Sequence, residues 1–337
     1  MRSKKVTLKM IAEQLGMTPA TISKALRDST DISEETKRRV KEVADNLGYH
    51  PNLMARSLVQ RRSYLLGVMV PDLRISFFSE AVRGIYERAR EKGYEAIIVV
   101  NDEDLENEER NLKFLAALPV DGILINAVPA TTNCRLMQRM RDQGIPFVSW
   151  DRTIDGFETS SVTIDDEAAA FEVMDYFVKN GRKDILFLGP TDHPSVVRGR
   201  YNGFCRGRAA FGIPERAELV ATCKIDYEAA RDTMQRILES GVRPDAVLCI
   251  GGLIAHGAGR AILDAGLKIP QEILLAEFGD NDVVARLGVP FVTIHQFPLE
   301  IGRKAVDILL EEIDLKPRPH TFHHEIIPAK LLERTLG

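Results

Sequence analysis

"VTLKMIAEQLGMTPATISKALRDSTDISEETKRRVKEVADNLGY", residues 6–49, holds three helical periods separated by legible stops. Thr7 stands where a helix N-cap is expected, before a first helix with Ile11, Ala12 and Leu15 on one face, and Gly16 ends it. Thr18-Pro19 supplies a second cap followed by proline at the first helical position, where the missing N–H costs nothing. In that second helix Ile22, Ala25 and Leu26 point one way, and Ala20, Thr21 and Lys24 point the other. Ser33 caps a third helix, with Glu34 and Glu35 placed favourably against its dipole and Val40, Val43, Ala44 and Leu47 as the inward stripe. Two helices joined by a tight turn, with a third packed across them, describe a helix-turn-helix module. Small and polar side chains outward on the second helix suit a major-groove reader. Interleaved Lys24, Arg27, Lys37 and Arg38 suit phosphate oxygens. A plain three-helix bundle is the alternative.

The charge is divided along the chain. Residues 1–62 carry 13 Lys/Arg and 7 Asp/Glu, a net +6, so the other 275 residues carry −10. A cationic head on an anionic body suggests that the head alone meets a polyanion. The basic start has no apolar run behind it, and nothing approaches the roughly 20 apolar residues of a membrane helix, so the cytoplasm is the expected location. Cys134, Cys205, Cys223 and Cys249 lack metal-ligand or disulfide spacing and read as buried thiols. His323-His324 reads as a solvated loop, and neither metal nor cofactor is expected.

From Tyr64 onward, short apolar runs alternate with amphipathic stretches such as 79–91 and 167–179. The runs are "LLGVMV", "AIIVV", "GILINAV", "PFVSW", "SVTI", "DILFLG", "ELVATC", "AVLCI", "ILLAEF" and "FVTI". Strand–helix–strand alternation implies parallel sheets covered on both sides. Two consecutive sets imply an α/β body of two Rossmann-like lobes, with ligands beyond the strand ends. No "GxGxxG" follows the first strand and no Walker-type loop occurs, so a nucleotide-cofactor enzyme is not expected.

The stretch from about Val6 to Leu58 closely resembles the start of the LacI/GalR family of bacterial transcription regulators, through "TISKAL", "ISEET" and "LGYHPN". The resemblance implies that the second helix lies in the major groove. Pro19, Ala20 and Lys24 then fall at base-choosing positions, and Thr7, Thr18, Thr21, Ser23, Ser33 and Thr36 at phosphate-contacting or capping ones. Pro19 and Ala20 cannot hydrogen-bond a base edge, which leaves apolar contact there and makes Lys24 the main polar reader. Met10 replaces the acidic residue usual in the first helix. "NLMARSL", residues 52–58, resembles the family's hinge helix. By that resemblance Asn52 caps it, Ala55 permits close approach, Arg56 reaches backbone or groove atoms, and Leu58 wedges into the minor groove. So short a helix is expected to fold only on DNA.

The resemblance continues more loosely through "GVMVPDLRISFFSEAV", "IPFVSWDR", "RGRYNGFCRG" and "FGDND". It implies a periplasmic-binding-protein-like body with lobes joined near residues 163, 294 and 323. The expected division is a head at 1–50, a hinge at 51–63 and a body at 64–337. One lobe takes about 64–163 and 295–322, the other about 164–293 and 324–337. Phe77, Phe78, Asp151, Arg200 and Asp280 match effector-cleft positions. Gly251-Gly252 replaces a hydrogen-bonding pair common in the family, and the nearby Arg152 and Arg198 favour an anionic effector such as a sugar phosphate or sugar acid. The whole reads as a dimeric repressor, without enzymatic activity, bound to a palindromic double-stranded operator and controlled by a carbohydrate-type effector. A transport-type binding protein predicts a signal peptide and no helix-turn-helix; an enzyme predicts a nucleophile, metal cluster or cofactor loop.

Overall fold

The computed structural model describes residues 6–26, 28–49, 62–191, 195–279, 282–315 and 321–335. Its contacts divide the chain at Ser63–Tyr64. The head contains α1 (Leu8–Leu15), α2 (Pro19–Leu26) and α3 (Glu34–Asn46). Gly16 takes a left-handed φ of 63° and its N–H closes α1, which a residue with a Cβ would do at a cost. Thr18 Oγ1 accepts from Thr21 N at 3.1 Å, and Ser33 Oγ from Thr36 N at 3.3 Å. Thr7 departs from expectation: it occupies the N-cap of α1 with extended backbone, but its side chain makes no cap bond. Ile11, Ala12, Ile22, Ala25, Val40 and Ala44 form the buried core, with Leu15, Leu26, Val43 and Leu47 partly buried against it. Fully enclosing an Ile of this kind contributes about 1.5–3 kcal/mol, and the head has few such residues to lose.

Among the described residues the body contains two six-stranded sheets. The first has β1 (Leu65–Val70), β2 (Glu95–Val100), β3 (Gly122–Ile125), β4 (Phe147–Trp150), β5 (Ser160–Thr163) and β11 (His324–Ile326) in the order β11-β5-β4-β3-β1-β2. The second has β6 (Ile185–Leu188), β7 (Val220–Ala221), β8 (Ala246–Cys249), β9 (Leu274–Phe278), β10 (Phe291–His295) and β12 (Lys330–Arg334) in the order β12-β10-β9-β8-β6-β7. Among the described residues, all pairings are parallel except β10 with β12. The inner strands are buried along their length, as strands covered on both faces must be. In chain order the covering helices are α4 (Ser76–Glu91), α5 (Leu105–Ala116), α6 (Cys134–Asp142), α7 (Asp166–Lys179), α8 (Ser195–Ala210), α9 (Tyr227–Glu239), α10 (Gly252–Asp264), the short α11 (Asp282–Ala285) and α12 (Pro298–Asp314).

Three helix pairs touch at glycines. A Cβ at Gly302 of α12 would lie 2.1 Å from Ala81 O of α4, and one at Gly203 of α8 would lie 2.3 Å from Glu167 O of α7. Gly257 of α10 meets Tyr227 O of α9 at the same 2.3 Å. The backbones therefore approach as closely as hydrogen-only side chains allow.

The chain passes between lobes after β5, after β10 and after β11. The third passage comes later than the expected residue 323. His324–Ile326 pair in parallel with Ser161–Thr163, and Ile327 N still donates to Thr163 O at 2.8 Å, so 324–326 belong with the first lobe. His323 and His324 are both exposed, as a solvated loop predicts, although His324 opens β11. His324 Nδ1 lies 2.9 Å from Ser161 Oγ, and His323 Nε2 lies 3.0 Å from Glu325 Oε2. Of the four thiols only Cys249 is buried; Cys134, Cys205 and Cys223 are half-buried.

Candidate functional site

Two sets of residues, one in each unit, form the candidate sites. In the head, the outward face of α2 presents exposed Pro19, Ala20 and Lys24, with Thr21 and Ser23 half-buried beside them. Ile22 and Ala25 are fully buried behind that face, so the rotation of α2 is fixed by its core side. Lys24 Nζ donates to Asp31 Oδ2 at 2.5 Å, and Lys41 Nζ of α3 to Asp28 Oδ1 at 2.7 Å. The lysine beside Asp31 is the main cause that holds its carboxyl at about 2. Lys37 is a correction. Only 9% of its side chain is exposed, and its ammonium turns back to Glu34 at 2.6 Å, so it is not a surface cation. Ser33 and Thr36 are mutually bonded at the start of α3. Arg27, Asn52, Ala55, Arg56 and Leu58 lie outside the described residues.

In the body, Asp151, Arg152, Asp166 and Arg200 gather beyond the C-terminal ends of the strands, where open α/β sheets take ligands. Asp151 follows β4 with φ 67°, a sparsely populated conformation for a residue with a Cβ. Burial raises its carboxyl above the usual range, against the opposing pull of Arg152 and Arg200. Asn126, next after β3, donates to Trp150 O at 3.2 Å and to Asp151 Oδ2 at 3.1 Å.

Arg152 forms a fork with Glu103, at 2.7 and 3.0 Å, and also donates to Ala127 O at 3.3 Å. The loop after β2 delivers that glutamate. Asp102 and Glu103 both have positive φ, and Glu103 N donates to Asn101 Oδ1 at 3.1 Å.

Arg200 of α8 is 7% exposed and ties three segments together. It reaches Asp166 Oδ1 at 2.8 Å, Ile250 O beyond β8 at 2.5 Å, and Gln296 Oε1 beyond β10 at 3.0 Å. Its guanidinium lies 4.0 Å from the centroid of the Phe278 ring. Asp166 is pushed up to about 6 by burial, which outweighs the attraction of Arg200. The lobes touch nearby: Thr153 N donates to Ser195 Oγ at 3.3 Å, and half-exposed Arg198 lies 3.6 Å from Asp155 Oδ2.

The structure separates some expected neighbours. Phe78 packs edge-on against Trp150 at 6.1 Å and lies 5.9 Å from the Arg152 guanidinium, so it joins this group. Phe77, in contact with Phe78 at 5.3 Å, lines a hollow of about 710 Å³ between α4 and α12 together with Arg83, Arg303 and Phe297. Neither Asp151 nor Arg200 lines that hollow. Asp280 lies outside the described residues.

Sequence reasoning did not name Glu103, Gln296 or Asn126 as site residues. Asp165 is the cap, accepting from Ala168 N at 2.8 Å, and Asp166 is the arginine's partner.

The local charge also differs from expectation. Each of Arg152, Arg198 and Arg200 faces a carboxylate, although the buried Arg152 Nε has no hydrogen-bond partner of its own. Asn126 Oδ1 and Trp150 Nε1, an acceptor and a donor, are buried without a hydrogen-bond partner. No group of three or more His, Cys, Asp or Glu among the described residues could hold a metal ion, and no described helix is long and apolar enough to cross a membrane.

Comparison with known proteins adds to this geometry. The chain is 27% identical over 326 residues to the HTH-type transcriptional regulator RegA of Clostridium saccharobutylicum, covering 95% of this chain and 97% of that one. It is 29% identical over 312 residues to the HTH-type transcriptional repressor CytR of Escherichia coli K12, covering 91% and 89%. The crystal structure of the lac repressor dimer bound to operator and an anti-inducer superposes with a TM-score of 0.87 over 99% of each chain at 24% identity, a likeness of fold. Residues 7–52 match the model of bacterial regulatory proteins of the lacI family, and 63–335 that of periplasmic binding proteins and the sugar-binding domain of the LacI family. With both parts matched in this order, the chain belongs to the LacI family of DNA-binding transcriptional regulators.

Proposed function

We propose that two copies of this chain repress transcription by binding a palindromic operator through their heads, under the control of a small uncharged carbohydrate held between the lobes of the body. The observation that carries the DNA half is the fixed rotation of α2, with Ile22 and Ala25 in the core and Pro19, Ala20 and Lys24 outward. Lys24 reads a base edge, Pro19 and Ala20 make apolar contacts such as those with thymine methyls, and Thr18, Thr21, Ser23, Ser33 and Thr36 meet phosphates or hold caps. Asn52, Ala55, Arg56 and Leu58 form the hinge that enters the minor groove. A two-fold operator needs two heads, which makes dimerisation part of the mechanism. The repressor named among the relatives supports the direction of control.

The paired guanidiniums support the ligand half. A hydroxyl both donates and accepts, so it can satisfy groups of the kind left by Trp150 Nε1 and Asn126 Oδ1 without adding charge. Ligand binding closes one lobe on the other and changes the spacing of the two heads. Selection of bound sequences from a random duplex pool, followed by operator binding with a panel of neutral and phosphorylated sugars, tests both halves. Enrichment of a palindrome and a response to a neutral sugar are expected. Recovery of no preferred sequence sinks the first half, and a response only to phosphorylated sugars sinks the second.

A further inference from the structure

Base-reading lysines are useful only when their ammonium is placed; a flexible four-carbon stem otherwise meets any phosphate in reach. Lys24 is the one cation of α2, and it is placed from outside its own helix. Its Nζ donates at 2.5 Å to Asp31, which sits in the turn between α2 and α3. Both side chains are about half exposed, and Pro19 and Ala20 of α2 are exposed as well. The turn is tied back to the end of α2 by Ser29 N donating to Lys24 O at 3.1 Å, and Ile32 N donates to Ser29 O at 3.2 Å. The carboxylate is therefore carried by a braced loop.

We propose that Asp31 is a positioning residue for DNA discrimination: it holds the Lys24 ammonium for one base edge and withholds it from phosphates elsewhere. This rests on the reading of α2 as the major-groove helix. In the free protein the carboxylate cancels the charge of Lys24 and also repels the DNA backbone, which lowers affinity for every sequence alike. On the preferred sequence a base acceptor takes a second ammonium hydrogen while the first stays with Asp31, since an ammonium has three donors. Discrimination is gained where the geometry of both partners is met. The neighbouring pair, Lys41 with Asp28, lies between α3 and the same turn and provides an internal control.

The experiment compares wild type, D31N, D31E, D28N and K24A in the full-length chain, on the selected operator, on its variants at the position Lys24 reads, and on random duplex across a salt series. D31N is expected to bind random duplex about three- to tenfold more tightly, with a salt slope steeper by about one unit per head. Preference among the four base pairs at the Lys24 position should shrink about tenfold. D31E should restore the preference, D28N should leave it unchanged, and D31N should have no effect on it in the K24A background. A merely structural Asp31 would lower affinity for all sequences together with the melting temperature of the head. That result, or a base preference unchanged in D31N, overturns the inference while leaving the wild-type operator preference standing. Absence of any operator preference in wild type defeats the underlying reading and this inference with it.

Discussion

Arg200 Nε donates to Asp166 Oδ1 at 2.8 Å, and the two side chains are only 8% and 10% exposed. Because the carboxylate lies on the first turn of α7 and the guanidinium on α8, the pair joins two helices. Removing one partner leaves a buried charge unmet, which typically costs about 3–5 kcal/mol. R200A should therefore destabilise the body by about that amount and abolish ligand binding. R200M combined with D166N, which removes both charges, should recover most of the stability without recovering binding. Denaturant melts and calorimetry on the two variants check this.

The same pair gives a pH dependence of defined sign. The Asp166 carboxyl is pushed from 3.8 to about 6 in the folded chain. A raised acid binds more protons folded than unfolded, so its contribution to stability is present below about pH 4 and is lost as pH rises through about 6. Asp151 shifts the same way, also by burial. Asp28, Asp72 and Glu91 are lowered by their cationic partners and lose their contribution only on the acid side of the carboxylate range, in a separate window. Melting of the body between pH 4 and 7 should fall as pH rises, and D166N should flatten that fall. A wild-type profile flat across this window contradicts the assignment.

Close helix approach gives a third prediction. At Gly302 a methyl group would enter the space of Ala81 O and Ile85 N, backbone atoms that cannot rotate away. G302A should cost about 1–3 kcal/mol through separation of α12 from α4. The head has its own core, so a head-specific thermal transition should be unchanged. The measurement is a melt followed by separate probes of the two units.

Much of this was legible in the sequence because it is local. The helices of residues 6–49 announce themselves through caps and an apolar stripe within a few residues of each other, and Ile22, Ala25, Val40 and Ala44 were all placed inward. The buried strands were equally plain as apolar runs. What was not legible depends on distant partners. Glu103 looks like any surface acid until β2 and β4 bring it to Arg152, 49 residues on. Asp165 and Asp166 are indistinguishable as neighbours, and the fold gives one to a helix cap and the other to Arg200. The last two strands are hidden in the sequence for a different reason. β11 has three residues with Ile326 58% exposed, and β12 mixes exposed and half-buried positions, so neither carries an apolar run. Lys37 looks like a surface cation in the sequence because a charge count does not reveal that a long stem can be buried while its ammonium turns to Glu34.

The charge pairing around Arg152 leads to the last prediction. Both terminal nitrogens of Arg152 are engaged by Glu103, and Asp151 lies 3.6 Å from Nε, so a phosphate approaching this guanidinium meets carboxylates already in place. Replacing Glu103 by glutamine keeps the shape and an acceptor oxygen but removes one negative charge. An amide also accepts with one atom where the carboxylate accepted with two, so one terminal nitrogen of Arg152 is released to a ligand. Wild type should therefore bind a neutral sugar in preference to its phosphorylated form, and E103Q should shift that ratio toward the phosphate by about tenfold, equivalent to about 1.4 kcal/mol. Isothermal calorimetry of the matched pair of sugars at fixed ionic strength reads the ratio directly. If E103Q leaves it unchanged, the carboxylate partners do not set the charge preference of the cleft, and the preference must come from residues elsewhere in it.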